Sequence, residues 1–298
     1  MPVIETHELS KHYGELRAVE RVSLQVQAGE VFGFLGPNGA GKTTTMRMLL
    51  DLLRPTSGTA SIFGLDAHRH APAIRARLGN LPGDYAYDPR LTGREIVAYF
   101  ARLRGMRGIG RAGRLAERFE ADLDRPLGKL SRGNRQKIGL IQATFHEPEL
   151  LLLDEPTSSL DPLMQDEFLR FVAEERQHGV TVFISSHELD EVEHSCDRVG
   201  IIRAGALIAV EDVEAITRRS FKHVAIEFVE PVDPAAFERI EGVHDMRRQG
   251  ERRISFKVTG DLDGVIKAAA RYELADIDLT SPTLEEIVLT YYGRGETT

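Results

Sequence analysis

Val31-Phe32-Gly33-Phe34-Leu35-Gly36-Pro37-Asn38-Gly39-Ala40-Gly41-Lys42-Thr43-Thr44 is the stretch that decides the fold of this 298-residue chain. Its first five residues form a short, nearly continuous apolar run, the mark of a strand buried on both faces. From Thr45 to Leu53 apolar residues recur at helical spacing. Between the two, Gly36 to Thr43 fits G-x-x-x-x-G-K-[ST] in the strand-then-helix context the pattern requires. Gly39 and Gly41 let backbone N–H groups turn inward toward an anion with no Cβ in the way. A helix starting near Gly41 points its positive end at that anion. Lys42 then brings a cation to β- and γ-phosphates, and the Thr43 hydroxyl is placed to ligate Mg²⁺. Pro37, Asn38, Ala40 and Thr44 complete the loop. A Gly-rich turn without a ligand is the bland alternative, and the full match with both flanking elements weighs against it.

Further along, Leu150-Leu151-Leu152-Leu153-Asp154-Glu155 reads as a second buried strand ending in two carboxylates. Asp154 at the strand's C-terminal edge suits a Mg²⁺ contact, and Glu155 suits a base that orients or deprotonates an attacking water. Taken alone, the pair could equally serve a helix N-terminus. Val180 to Ser185 is a third buried strand, with a helix from Pro162 to His178 before it. This order implies parallel strands with crossover helices. Between the Gly36–Thr43 loop and the Asp154-Glu155 pair, Arg94–Arg104, Arg111–Ala121 and Arg132–Phe145 carry helical patterns. Residues 85–146 therefore read as a mostly helical insertion.

After Arg219 the texture changes. Strand patterns at His223–Val229, Val243–Arg248, Arg253–Val258 and Leu274–Leu279 alternate with short helices at Pro234–Ile240 and Leu262–Tyr272. The order β-α-β-β-α-β is the split βαβ, or ferredoxin-like, arrangement. A last helix, Thr283–Tyr292, is expected after the cap Ser281-Pro282. Two domains follow, 1–219 and 220–298, each of ordinary size.

Charge and composition exclude several classes. The net charge of -8, from 38 basic and 46 acidic residues, argues against a nucleic-acid coat. A single cysteine, Cys196, rules out an internal disulfide, points to a reducing compartment and reads as a packed thiol. No apolar run approaches the roughly 20 residues that span a bilayer, and Met1–Leu9 has no signal-peptide pattern. His68 and His70 have the His-x-His spacing without a further ligand, which is too little for zinc. Six arginines between Arg102 and Arg118 face only Glu117. They read either as a basic patch for phosphates or lipid headgroups or as a solvated loop between helices, the second being the usual fate of a charge run.

Leu130-Ser131-Arg132-Gly133-Asn134-Arg135-Gln136-Lys137 lies between the two nucleotide motifs and resembles the LSGGQ signature of ABC-type ATPases. In that light Gly36–Thr43 is the Walker A motif and Leu150–Glu155 the Walker B motif. Ser159-Leu160-Asp161 is similar to the D-loop, His187 sits where the switch histidine sits, and Tyr13 matches the aromatic that stacks on adenine. The resemblance covers roughly Val3 to Ile216. With the appended second domain, the chain looks like the ATP-binding subunit of a bacterial drug-export (ABC-2-like) transporter. The resemblance implies a P-loop NTPase α/β fold with a helical subdomain, ATP and Mg²⁺ as ligands, and a head-to-tail dimer of identical or paralogous chains. In such a dimer Ser131 and Gly133 of one chain reach the γ-phosphate held by the other's Walker A. It implies a separately encoded membrane permease, a cytoplasmic position at the inner face of the membrane, and no nucleic acid. Tyr85–Glu95 is the expected permease-facing surface.

One position departs from the family pattern. After the strand Leu78–Pro82 the family usually has a glutamine that contacts Mg²⁺ and water; here Gly83 stands there, followed by Asp84. A soluble ABC ATPase acting in DNA repair or on the ribosome would be expected to carry two cassettes or long heptads, and neither is present. A regulatory or immunity ATPase with weak turnover is a further alternative, to which Gly83 lends weight.

Overall fold

The computed structural model describes residues 1–83, 87–215, 221–282 and 286. The chain divides into two compact units, Met1–Glu211 and Asp212–Thr298. The first unit and the strand that ends it run β1 (Pro2–Tyr13), β2 (Leu16–Gln27), β3 (Val31–Leu35), α1 (Lys42–Leu49), β4 (Ser57–Ile62), β5 (Leu65–Asp66), α2 (Ala71–Arg77) and β6 (Leu78–Leu81). They continue through α3 (Gly93–Leu103), α4 (Ala112–Arg118), α5 (Arg132–Thr144), β7 (Leu150–Asp154), α6 (Pro162–Gln177), β8 (Thr181–Ser186), α7 (Leu189–Ser195), β9 (Arg198–Arg203) and β10 (Ala206–Asp212).

Two sheets share the work. A six-stranded sheet has the order β10-β9-β3-β8-β7-β6, and a four-stranded one the order β2-β1-β4-β5. Strands β3, β7 and β8 are buried along their whole length. Their alternate residues serve different cores, as a doubly covered parallel sheet demands. Val31, Leu151, Leu153, Val182 and Ile184 join the side built from α3, α4, α5 and α6. Phe32, Phe34, Leu150, Leu152 and Phe183 join the side closed by α1 and the four-stranded sheet, where Phe32 stacks on Phe183 at 5.6 Å. The parallel register sets Leu35 against Ser186 and Asp154 against Ser185. The C-terminal ends of β3, β7 and β8 thus lie side by side, the edge at which open α/β sheets place their ligands.

The arginine run between Arg102 and Arg118 is neither a patch nor a loose loop. Arg102, Arg107 and Arg114 are exposed. The other three, seven residues apart, reach back into the core. Arg104 donates to the carbonyls of Arg75, Ala76 and Leu78. Arg111 binds Glu175 through both carboxylate oxygens and also donates to the Thr144 carbonyl. Arg118 pairs with Glu167 and Glu174. Helix α4 is shorter than the apolar pattern suggests, because Glu120 adopts a left-handed φ of 51° just past its end.

The second unit has β11 (Phe221–Phe228), α8 (Ala235–Glu238), β12 (Val243–Gln249), β13 (Arg253–Thr259), α9 (Asp263–Ala269) and β14 (Leu274–Thr280). Its sheet is antiparallel with the order β12-β13-β11-β14. Val224, Ile226, Phe228, Ile254, Phe256 and Val258 form one sheet face, packed with Phe237 of α8 and Val265 of α9. Apart from Glu286, the expected helix Thr283–Tyr292 lies outside the described residues, as do Asp84 and the first two residues of the Tyr85–Glu95 stretch. Among the described residues no helix is long and apolar enough to cross a membrane.

Candidate functional site

The loop between β3 and α1 can be followed residue by residue. Gly36 N–H donates to the Ser186 carbonyl at 3.1 Å, which ties the loop to the end of β8. A Cβ on Gly36 would meet the Ile202 carbonyl oxygen at 2.3 Å, so this crossing is open only to glycine. Gly41 has a φ of 108° and caps α1 without a side chain, and no acidic residue stands in the helix's first turn. The first turn of α1 therefore supplies neither a capping side chain nor a carboxylate of its own to the helix's positive end. Pro37 and Ala40 close the turn through Ala40 N–H to Pro37 O, while Asn38 and Gly39 are exposed and Thr44 is half-buried.

Lys42 is only 5% exposed, and its ammonium is ringed by oxygens. It donates to Gly36 O at 2.6 Å and Pro37 O at 3.3 Å, and lies 3.4 Å from Glu155 Oε1. A buried cation needs such partners, because desolvation of an unpaired ammonium is costly. The same Glu155 oxygen is 3.3 Å from His187 Nδ1. Glu155 has a left-handed φ of 47°, which turns it off the end of β7. Beside this trio, Thr43 Oγ1 donates to Asp154 Oδ2 at 2.7 Å, and Ser185 Oγ donates to Asp154 Oδ1. Lys42, Thr43, Asp154, Glu155 and His187 are thereby gathered at one edge of the sheet. Hard oxygen donors at Thr43 and Asp154 beside a buried lysine and an uncapped helix start suit a divalent cation and a phosphate chain.

The other sequence candidates stand apart from that cluster. Ser131 is the N-cap of α5 and accepts from Asn134 N–H. Gly133 lies so close to the 157–161 turn that a Cβ there would meet the Ser159 carbonyl at 2.5 Å. Asp161 is exposed and caps α6 by accepting from Met164 N–H. Tyr13 ends β1 with its ring 51% exposed and the Lys11 ammonium 5.2 Å from its centroid. Among the described residues, no hydrogen bond or ion pair links Ser131, Gly133, Asp161 or Tyr13 to the Gly36–Thr44 loop. Gly83 faces Asp154: a Cβ there would sit 3.1 Å from Oδ2. Cys196 has its thiol pushed up to about 12 by burial.

Several residues to which the sequence reading gave no site role hold this geometry. Besides binding Asp154, Ser185 Oγ accepts from Glu155 N–H at 3.2 Å. Gln136, on the signature helix, donates to the carbonyls of Glu155 and Pro156. Thr157 and Ser186 both donate to Glu191. The only sequence signal for them is placement: Ser185 and Ser186 just before His187, Gln136 at the end of the signature-like motif, Thr157 two residues beyond Glu155, and Glu191 four residues beyond His187.

A groove of about 490 Å³ opens beside the same edge, lined in part by Leu50, Leu52, Tyr87, Phe100, Arg104 and Gln142 and reaching Thr43, Gly83 and Asp154. Tyr87 donates to Gln142 Oε1, and burial pushes its phenol up to about 12.

The sequence model of the family described as "ABC transporter" matches residues 19–158. The bacitracin transport ATP-binding protein of Bacillus licheniformis is 38% identical over 231 residues, covering 76% of this chain and 74% of that one. The daunorubicin resistance ATP-binding protein of Streptomyces coeruleorubidus is 36% identical over 298 residues, 95% of this chain and 93% of that one, so the likeness runs through the second unit. Among solved structures, one titled "Structure of ATP binding subunit of ABC transporter" superposes with a TM-score of 0.65 at 29% identity, over 72% of this chain and 92% of its own. Relatives that match this far along the chain, on a sheet that brings the phosphate loop, the strand-end carboxylates and His187 to one edge, establish that the chain belongs to the family of ABC transporter ATP-binding proteins.

Proposed function

We propose that the chain is the Mg²⁺-dependent, ATP-hydrolysing subunit of an exporter whose membrane permease is a separate polypeptide. The observation that carries this reading is the convergence of Lys42 and His187 on Glu155 Oε1, next to the Thr43–Asp154 pair. ATP phosphates would lie along Gly36–Thr44, with Lys42 on the β- and γ-phosphates and the exposed Tyr13 ring offered to adenine. Thr43 and Asp154 would hold Mg²⁺, which when bound offsets charge on the phosphate oxygens. Glu155 accepts the proton of the attacking water while His187 keeps that carboxylate oriented. The new O–P bond forms at the γ-phosphorus as the bond to the bridging oxygen breaks, leaving ADP and phosphate.

Ser131, Gly133 and Asp161 are read as the half of the site offered to a second chain in a head-to-tail dimer. Their separation from Gly36–Thr44 within one chain supports that role, as does the helix start behind Ser131. A neighbour of known structure at 22% identity is titled as a dimeric post-hydrolysis cassette bound to ADP and Pi. The groove at Leu50, Tyr87 and Phe100 is the proposed seat of a permease segment and extends the surface read from Tyr85–Glu95. Names of relatives that speak of bacitracin transport, daunorubicin resistance and Nod factor export favour outward transport at the cytoplasmic face of the membrane. For the second domain, 220–298, the strand order with helices on one sheet face supports the ferredoxin-like reading.

Glu155→Gln tests the assignment. It keeps the shape and should keep ATP binding while turnover falls by about a hundredfold or more, the usual worth of a general base. Wild-type turnover in this variant would remove Glu155 from the role. A regulatory ATPase is the second reading, favoured by Gly83; slow hydrolysis that no membrane permease stimulates would select it.

A further inference from the structure

Two turns flank the proposed hydrolytic site. One runs from Thr157 to Asp161 and touches the signature helix where Gly133 lies against the Ser159 carbonyl. The other, Ser186–Glu188, carries His187 and receives Gly36 N–H on the Ser186 carbonyl. Their side chains meet on one carboxylate. Thr157 Oγ1 donates to Glu191 Oε1 at 2.9 Å, and Ser186 Oγ donates to Glu191 Oε2 at 2.5 Å. Thr157 and Ser186 are 6% and 1% exposed, so these bonds are sheltered from water. Within its own turn, Ser186 Oγ also accepts from Glu188 N–H.

The arrangement suits a carboxylate, although Ser186 Oγ also has the Glu188 carbonyl 3.2 Å away as a second acceptor. Both partners donate, one to each oxygen, and an ionised carboxyl is an acceptor at both. A glutamine would offer one acceptor and turn donors toward the other hydroxyl. Burial pushes the Glu191 carboxyl up, and its bonds to Ser186 and Thr157 pull it back. Helix α7 supports the clasp from behind, where Ser195 Oγ donates to the Glu191 carbonyl.

We propose that Glu191 is a positioning residue for ATP hydrolysis: its two oxygens hold the Thr157–Asp161 turn and the Ser186–His187 turn at a fixed separation, so that movement of the first carries His187 toward or away from Glu155. This rests on the hydrolytic reading above. Glu191 is bound by Thr157 and Ser186 and lies behind the Lys42–Glu155–His187 cluster without a bond to it among the described residues. It acts through His187, and through the turn that faces the second chain in the proposed dimer.

The test uses the purified full-length chain, measuring Mg-ATPase kinetics, binding of a fluorescent ATP analogue and the thermal midpoint for wild type, Glu191→Gln, Thr157→Val and Ser186→Ala. Losing a hydrogen bond to a charged acceptor should lower kcat roughly tenfold to a hundredfold in Glu191→Gln. KM, analogue affinity and the thermal midpoint should stay near wild type. Thr157→Val and Ser186→Ala should each lower kcat, and neither should lower it much further when combined with Glu191→Gln. If Glu191→Gln does not fold, the two hydroxyl variants alone decide, by the same split between kcat and KM. An active wild type with kcat unchanged in the variants would overturn the clasp. So would a parallel fall of kcat, affinity and midpoint, which marks a merely structural role. A wild type that binds the analogue and shows no turnover would overturn the hydrolytic reading, and the clasp with it.

Discussion

The Arg111–Glu175 pair provides the sharpest quantitative test of how the start of α4 is fastened to α5 and α6. The guanidinium makes two parallel bonds to the carboxylate, at 2.7 and 2.8 Å, and two more to the Thr144 carbonyl at the end of α5. The side chains are 16% and 5% exposed, so either ion left alone is poorly solvated. Removing one member of a buried pair costs about 3–5 kcal/mol, mostly for the charge left behind. Because Arg111 retains some contact with water, the lower end applies, and Arg111→Met and Glu175→Met should each destabilise the first unit by about 3 kcal/mol. Replacing both leaves no stranded charge, and the double variant should lose no more than about 2 kcal/mol. The pair therefore predicts a coupling of about 4 kcal/mol, far outside the additivity of independent sites. Hydrogen exchange read on peptides from α5 and α6 reports this unit without the second one confusing the signal. About 3 kcal/mol corresponds to roughly 150-fold faster exchange in each single variant. Single variants that exchange less than about threefold faster, or a double variant as unstable as the sum, would refute the reasoning.

Two other perturbations follow from single contacts. His146 is held down to about 4 by burial, helped by the nearby Arg104 and opposed by its bond to the Leu78 carbonyl. Between pH 6.5 and about 4 the unfolded chain thus binds the extra proton, and stability falls as pH drops through that window. The loss should be roughly 1–2 kcal/mol at pH 5, and it should vanish in His146→Gln when denaturation is followed at pH 7 and pH 5. Gly83→Ala should raise the Mg²⁺ concentration for half-maximal ATPase roughly fivefold or more, since the methyl crowds an Asp154 pinned by two hydroxyls. An unchanged Mg²⁺ titration would mean that the Gly83 backbone gives way instead.

The parts of the fold most legible in the sequence were those whose signals are local. The apolar runs before Gly36 and Asp154 mark strands covered on both faces, and alternate residues of each do enter different cores. Phosphate-loop glycines are equally local, because the need for a positive φ or a close approach belongs to one residue. What stayed hidden depends on distant partners. Arg104, Arg111 and Arg118 look like any charge run until residues 26 to 64 positions away supply their acceptors. Strand β4, Ser57–Ile62, is polar and half exposed, and it is a strand because β1 pairs with it. Ser185 and Glu191 carry no local signal of a site role; only the meeting of β7, β8 and α7 brings them to Asp154, Thr157 and Ser186.

Those hidden contacts also decide how the two halves of the site can influence each other. Lys42 and His187, gathered on Glu155, share no bond with Ser131 or Gly133 among the described residues, yet both sets press on the segment 155–161. Gln136 reaches from the signature helix to the carbonyls of Glu155 and Pro156, Gly133 lies on the Ser159 carbonyl, and Thr157 is bound through Glu191 to Ser186. A packed, hydrogen-bonded segment of this kind shifts between discrete arrangements more readily than it stretches. Coupling through it is also reciprocal: if contact at Ser131 and Gly133 favours one placement of His187, then nucleotide held against Glu155 must favour that contact by the same free energy. In the head-to-tail dimer proposed above, the 155–161 segment, more than the phosphate loop itself, would be where ATP binding and association with a second chain become one equilibrium.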